Sequence, residues 1–594
     1  MNTNLTILRD YLKKHGVDAM IVPTNDPHFS EYVSDTHKCR EWLTGFTGSA
    51  GAAVVTQKSA ALFTDSRYFL QAAQQLENSG FELKKEGLPE TESIAEYLKK
   101  HVGAGKVAVD GSLYSSAEYE ALAQNVLPLT LTCIADPFST AWTNRPAMPS
   151  GKAFLLPEKY SGKAINEKLQ ALKTRMNPEK GSIYTVSALD EIAWLLNLRG
   201  SDVSYTPVVI AYAVVDFDAM RIHLFTDKNK LNKNDTESLQ KQNVAIHSYA
   251  DFATGLARLS AQKTAVANFK KTSVNTLNIL KDNSKQVVEE RDKFGSIASL
   301  KAVKNSVEIA GTRQAMIDDG AAWVKFWEWL EEHVDSHSVT EINAAEKLCL
   351  FRAECKDFLE QSFSPIVGYK EHGAIVHYGA TLESNIVIGR ETFLLVDTGA
   401  QYPYGTTDIT RTLHLGKPTK QEKMDYTLVL QGHIQLSLAK FPHGTRGAQL
   451  DMLARQPMMQ HMLHYMHGTG HGVGHCLGVH EGPQSIRLNE NPALLESGMI
   501  TSCEPGIYRA GRYGIRIENL ILTIPYGESE FGKFLQFEPL TLCPYDLNSI
   551  ETGMLSPAEK LYINSYHLDV YEKLKGRLQG KTLEFLKAKT QPIS

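Results

Sequence analysis

Apolar positions give the first outline of the chain. Residues 1–22 read as a capped amphipathic helix running into a strand. From Ser306 through Ile309, Met316, Ala321, Val324 and Trp327 to Leu330, apolar residues recur at three- and four-residue spacing, which predicts a long helix. Its aromatic residues, Trp323, Phe326, Trp327 and Trp329, are read as packing. Further on the period shortens to two. Residues 392–396 form an apolar strand that delivers Asp397 just before Gly399, and residues 405–413 alternate polar and apolar side chains as a second strand. The turn Tyr402-Pro403-Tyr404-Gly405 joins them into a hairpin-like unit, in which two aspartates can converge on one pocket. At residues 513–519, Ile515 and Ile517 alternate with Arg516 and Glu518, so the charged pair shares one strand face. Upstream, residues 371–378 place His377 in an extended run.

The first half of the chain carries an internal repeat. Trp42-Leu43-Thr44-Gly45-Phe46-Thr47-Gly48 is echoed by Trp194-Leu195-Leu196-Asn197-Leu198-Arg199-Gly200, and each copy is followed by a β-like run ending Leu-Phe-Thr-Asp, at 62–65 and 224–227. Two related α/β domains in tandem explain this. A proline-punctuated polar stretch from Asn144 to Gly151 marks a boundary near 150. A second falls near 295, where a lysine-rich segment gives way to the long helix. The division expected is 1–150, 151–295 and 296–594, in keeping with a chain of 594 residues, too long for a single core.

Composition narrows the function classes. Apolar content of 42%, charged content of 22% and a net charge of −5 are ordinary for a globular protein, and the basic residues are scattered, so no nucleic-acid partner is expected. The seven cysteines include no CxxC pair and are odd in number, which fits reduced thiols. The first residues lack the apolar core of a secretory signal, and no stretch approaches the ~20 apolar residues that span a bilayer. The expected location is the cytoplasm, with no membrane partner.

The chemistry sits in the last third. Asp397, Asp408, His471, Glu504 and Glu518 are candidate metal ligands, each in a short segment of glycines, prolines and strand residues. Four carboxylates balance two divalent cations, and oxygen-rich ligation with one imidazole suits Mn²⁺, with Zn²⁺ and Co²⁺ as alternatives; the absence of thiolate argues against a structural zinc. Two such ions can lower the pKa of a shared water, so the chemistry implied is metal-assisted hydrolysis. His471 lies in His467-Gly468-Thr469-Gly470-His471-Gly472-Val473-Gly474, whose glycines free the backbone for close approach to a ligand. His467 and His480 are candidate proton carriers or substrate binders, and His475 and Cys476 wall residues.

At these five segments the sequence resembles the metallopeptidases with the pita-bread catalytic fold, a family that includes methionine aminopeptidase, prolidase and aminopeptidase P. The segments HGTGHGVG at 467–474, VHEGP at 479–483, EPGIY at 504–508 and GIRIEN at 514–519 are most similar to the aminopeptidase P group. So are FTGSAG at 46–51, TDSRYFLQAA at 64–73 and RGSD at 199–202, which look like the front domains of its long, three-domain cytosolic form. The resemblance implies two creatinase-like α/β domains followed by an α+β pita-bread domain with a helical tail. It implies that Asp397 and Asp408 hold one metal, that Asp408 and Glu518 bridge both, and that His471 and Glu504 complete the other, with Glu504 taking a proton from a metal-bridging water. His377 and His480 match histidines that steady the scissile carbonyl, His467 matches one near the leaving group, and Arg67 and Arg516 are assigned to substrate contact. The His475-Cys476 pair stands where the family varies and Ser66 where some relatives have glycine, and neither departure touches the ligand set. The activity implied is release of the N-terminal residue from peptides with proline second, by a homodimer. The rivals are a prolidase restricted to dipeptides, a non-catalytic peptide-binding relative, and a creatinase-like amidinohydrolase that would not need the full ligand set.

Overall fold

The computed structural model describes residues 2–594 and divides the chain into two compact units, one of residues up to 157 with 163–300, the other of residues 158–162 with 301–594.

The first unit contains two six-stranded sheets. One comprises β1 (Ala19–Pro23), β2 (Ala52–Thr56), β3 (Ala60–Thr64), β4 (Glu82–Lys85), β5 (Lys106–Asp110) and β6 (Thr130–Ile134), in the order β4-β3-β2-β1-β5-β6. The other comprises β7 (Ser182–Val186), β8 (Ala211–Asp216), β9 (Arg221–Thr226), β10 (Val244–Ser248), β11 (Thr264–Ala267) and β12 (Gln286–Glu289), in the order β10-β9-β8-β7-β11-β12. The two orders are the same, and so are the senses of pairing: antiparallel from the first strand through the third, parallel elsewhere. Both halves of the repeat fall at equivalent places. Trp42 and Trp194 lie in the helices Cys39–Thr44 and Leu189–Leu195 between first and second strands, and each Leu-Phe-Thr-Asp ends a third strand. In the first sheet Met20 and Val22 enter one apolar cluster while Ala19 and Ile21 enter another, because successive side chains face opposite sides. Burial of both faces explains why these strands read as continuous apolar runs.

The second unit begins with the long helix α1 (Ser306–His333). Asn305 caps it, accepting the N–H groups of Val307 and Glu308 while Glu308 accepts that of Asn305. Its aromatic residues are packing: Trp323, Phe326 and Trp327 are buried in one cluster and Trp329 packs at its edge. After α2 (Glu341–Ala353), β13 (Ile366–Tyr369), β14 (Phe393–Thr398) and β15 (Ile409–His414) form an antiparallel sheet. Helices α3 (Lys420–Ser437) and α4 (Gly447–Met459) flank a six-stranded sheet. In spatial order it runs through Lys440–Pro442, Gly532–Pro539, Asn519–Ser529, Ile500–Cys503, Gly470–Gly472 and Glu481–Ile486. A hairpin of Gly506–Arg509 and Tyr513–Arg516 lies between its segments in the chain. The main core joins Met316 and Val324 of α1, Tyr426 and Val429 of α3, Ile500, Ile515 and Leu522 of the strands, and Ile563 and Val570 of the C-terminal helix α5 (Pro557–Leu574). Burial of each aliphatic side chain contributes roughly 1.5–3 kcal/mol, so the strands that carry the polar site rest on a rigid floor.

Candidate metal centre

Five sequence-predicted ligands meet on this floor. Asp397 is on β14, paired with Thr410 of β15. Asp408 precedes β15, His471 is the middle residue of Gly470–Gly472, Glu504 follows Ile500–Cys503, and Glu518 lies between the strands Tyr513–Arg516 and Asn519–Ser529. Ligand atoms of Asp397, Asp408 and Glu518 lie within 4.8 Å of one another, as do those of His471, Glu504 and Glu518, and those of Asp408, His471 and His480. Asp408, His471 and Glu518 each belong to two of these groups, and of the three only the two carboxylates have a second oxygen to share between cations. His471 Nε2 is 3.5 Å from both Asp408 Oδ2 and Glu504 Oε1. Its Nδ1 is 3.0 Å from the Gly472 carbonyl, and a proton donated there leaves the Nε2 lone pair facing the carboxylates.

The electrostatics of the donor set call for cations. Burial raises the Asp397 carboxyl, against the pull of Arg516 and with the push of Asp408. Burial, then Asp408, Glu504 and Asp397, push Glu518 well above the usual carboxylate range. Glu504 is raised to about 7 by burial, although His471 and Arg516 oppose the shift. His471 moves the other way from a buried imidazole: burial lowers it, but Asp408 and Glu504 outweigh burial and raise it to about 9. Asp397 Oδ1 is buried without a hydrogen-bond partner. A buried, self-repelling acid cluster with an orphaned oxygen fits two divalent cations, which would supply the missing charge.

Arg516 donates to Asp397 Oδ2 at 2.6 Å and to the Tyr508 hydroxyl at 2.7 Å, and Tyr508 donates to His467 Nε2 at 2.8 Å. His467 is therefore linked to the carboxylates through Tyr508, a residue sequence reasoning left unassigned although it ends the EPGIY segment. Thr410 was also missed: its hydroxyl donates to Glu518 Oε2 at 2.8 Å. Ser502 accepts the His471 N–H at 3.0 Å and donates to Glu504 Oε1 at 3.3 Å. His480 stacks edge to face on His471, with ring centroids 4.4 Å apart. His377 lies in a turn after the 3-10 helix Lys370–Ala374 and not in an extended run. Buried Glu341 bends the chain there by accepting from Tyr369 N–H, His372 Nδ1 and Tyr378 Oη. Beside His377, the Val376 carbonyl accepts from Arg516 at 3.4 Å. Arg67 belongs to the first unit, where it is held bidentate by Asp65 at 2.8 and 2.7 Å.

Sheet, helices and a carboxylate-rich centre for two cations define a dinuclear metallohydrolase. Residues 310–524 match metallopeptidase family M24, residues 533–593 the C-terminal region of that peptidase, and residues 5–135 and 144–308 the creatinase/prolidase N-terminal domain. A probable Xaa-Pro aminopeptidase P of Coprinopsis cinerea is 40% identical, covering 99% of this chain and 98% of its own. Xaa-Pro aminopeptidase 1 of Dictyostelium discoideum is 38% identical over 99% and 96%. The crystal structure of X-prolyl aminopeptidase from Caenorhabditis elegans, described as a cytosolic enzyme with a di-nuclear active site, is similar at a TM-score of 0.92 and 30% identity, covering 99% of both chains. The chain belongs to the aminopeptidase P group of metallopeptidase family M24.

Proposed function

We propose that this protein is a metalloaminopeptidase that releases the N-terminal residue from peptides with proline in the second position. The observation that carries the reading is the convergence of all five candidate ligands, three buried and two half-buried, into a cluster short of positive charge, in a chain similar from end to end to Xaa-Pro aminopeptidases. Asp397, Asp408, His471, Glu504 and Glu518 would hold two divalent ions, whose Lewis acidity would lower the pKa of a bound water and polarise the scissile carbonyl.

The residues of the chain do the rest. Glu504 Oε1, steadied by Ser502, accepts the proton of the attacking water. His480 and His377 donate to the scissile carbonyl oxygen as charge develops on it. The Xaa-Pro bond is a tertiary amide without an N–H, so its nitrogen must be protonated to leave. His467, which shares a hydrogen bond with Tyr508, passes a proton toward that nitrogen in this reading. Arg516 orients Asp397 and favours its ionised form against burial, and Arg67 is a further residue assigned to substrate contact. The oxygen-rich donors favour Mn²⁺. Seven free thiols accord with the cytoplasm, and among the described residues no helix is long and apolar enough to cross a membrane. The assembly in this reading is a homodimer, for which light scattering should give twice the chain mass of 66.0 kDa.

Offering Xaa-Pro and Xaa-Pro-Xaa-Xaa side by side tests the substrate class. Turnover of the longer peptide with release of a single residue is expected; cleavage of the dipeptide alone would make the protein a prolidase.

A further inference from the structure

A buried ion pair stands next to His480 and outside the ligand set. Lys301, on the last turn of the helix Ser296–Ala302, is the first residue of the second unit's main segment. Its Nζ is 2.7 Å from Glu481 Oε2, and the two side chains are only 2% and 3% exposed. Glu481 directly follows His480 and pairs with Gly472, the neighbour of His471, across a register shift in the ladder. The Glu481 carboxylate also presses on the loop between those strands, since a Cβ on Gly474 would lie 2.5 Å from Glu481 Oε1.

The segment around Lys301 touches a second strand of the site. Lys304 Nζ donates to the Lys301 carbonyl and Lys304 N–H to the Gly498 carbonyl, both at 2.9 Å, and Val303 bridges Met499, the residue before the strand that leads to Glu504. Elsewhere the loop is tied at its middle, by His475 Nε2 to the Tyr160 carbonyl at 2.9 Å and by Gln401 Nε2 to the Leu477 carbonyl at 2.6 Å. Lys301 holds the end that carries His480. Two charges withdrawn from water add little net stability compared with an apolar pair of similar volume, but neither can leave its partner, so they fix geometry.

We infer that Lys301 is a positioning residue, which through Glu481 sets the place of the His480 ring against His471. The inference rests on the reading that His480 contacts the substrate. The test replaces the pair with apolar side chains, Lys301→Met with Glu481→Leu, in the full chain loaded with Mn²⁺, beside Lys301→Arg. The double variant should keep its melting temperature and its metal content by mass spectrometry. Its crystal structure should show the His480 ring displaced from the 4.4 Å edge-to-face packing on His471. On an Xaa-Pro-Xaa peptide its kcat should fall on the order of 100-fold with KM nearly unchanged, as for a misplaced catalytic group. Lys301→Arg, which keeps the charge, should retain most of the activity. An undisplaced His480, wild-type turnover by the double variant, or a collapse of its melting temperature or metal content would overturn the inference. A wild-type protein inactive on Xaa-Pro peptides would instead contradict the proposed function, and the crystallographic readout would still decide the role of Lys301.

Discussion

In the proposed mechanism hydrolysis turns on Glu504, which is both a candidate ligand and the carboxylate assigned to take a proton. Glu504→Gln keeps the shape and removes the basic oxygen. The expected outcome is a folded protein, by circular dichroism, whose kcat on Xaa-Pro-Xaa falls about 10²- to 10⁴-fold; undiminished turnover would remove Glu504 from the mechanism. The convergence of the five candidate ligands was legible in the sequence because each aspartate, glutamate and histidine stands in a segment built around it, such as the glycines flanking His471 or the alternation of Arg516 and Glu518. Thr410 and Tyr508 were not. A strand threonine that donates to Glu518 reads like any β-branched residue in a ladder, and its role depends on Glu518, 108 residues away. Tyr508 gains meaning only when Arg516 and His467 arrive on either side of its hydroxyl.

At the scale of elements, the long helix α1 buries Met316, Val324, Trp327 and Leu330 of its apolar pattern, and the strand β14, a continuous apolar run, is buried on both faces. The segment read as one strand over residues 405–413 breaks in two, Gly405–Thr406 and Ile409–His414. The Thr407 carbonyl leaves the ladder to accept from Ser362 Oγ at 2.8 Å, and at this break Asp408 joins the other candidate ligands. The turn that carries His377 was likewise hidden, because Glu341, which shapes it, comes from another helix. That turn packs on the strand of Arg516 without room for a side chain: a Cβ on Gly514 would collide with the Gly373 carbonyl. Gly514→Ala should therefore push the His377 turn away and lower kcat/KM by about 10²-fold. Gly527→Ala, at an open position, should leave it unchanged. Equal activities in peptide assays would show that the close contact does not position His377.

For the whole molecule, the echo of Trp-Leu and Leu-Phe-Thr-Asp segments was enough to read a duplicated front half, and the two sheets share one strand order. Charge balance at the centre makes stability depend on metal and pH together. Without metal, Glu504 titrates near 7 in the folded chain against an ordinary 4.5, and His471 near 9 against 6.5. Both folded values are raised, so the folded state binds more protons than the unfolded one, and stability falls as pH rises through about 5 to 9. The chelated protein should lose melting temperature across that range more steeply than the Mn²⁺-loaded protein; parallel curves would contradict the electrostatic account. The most direct measurement of the central claim compares Xaa-Pro-Xaa with Xaa-Ala-Xaa peptides, with bound metal counted before and after chelation. The account predicts two metal ions per chain, release of a single N-terminal residue from the proline peptide only, and loss of activity with the metal. A chain that binds no transition metal, or that cleaves both peptides equally, would contradict it.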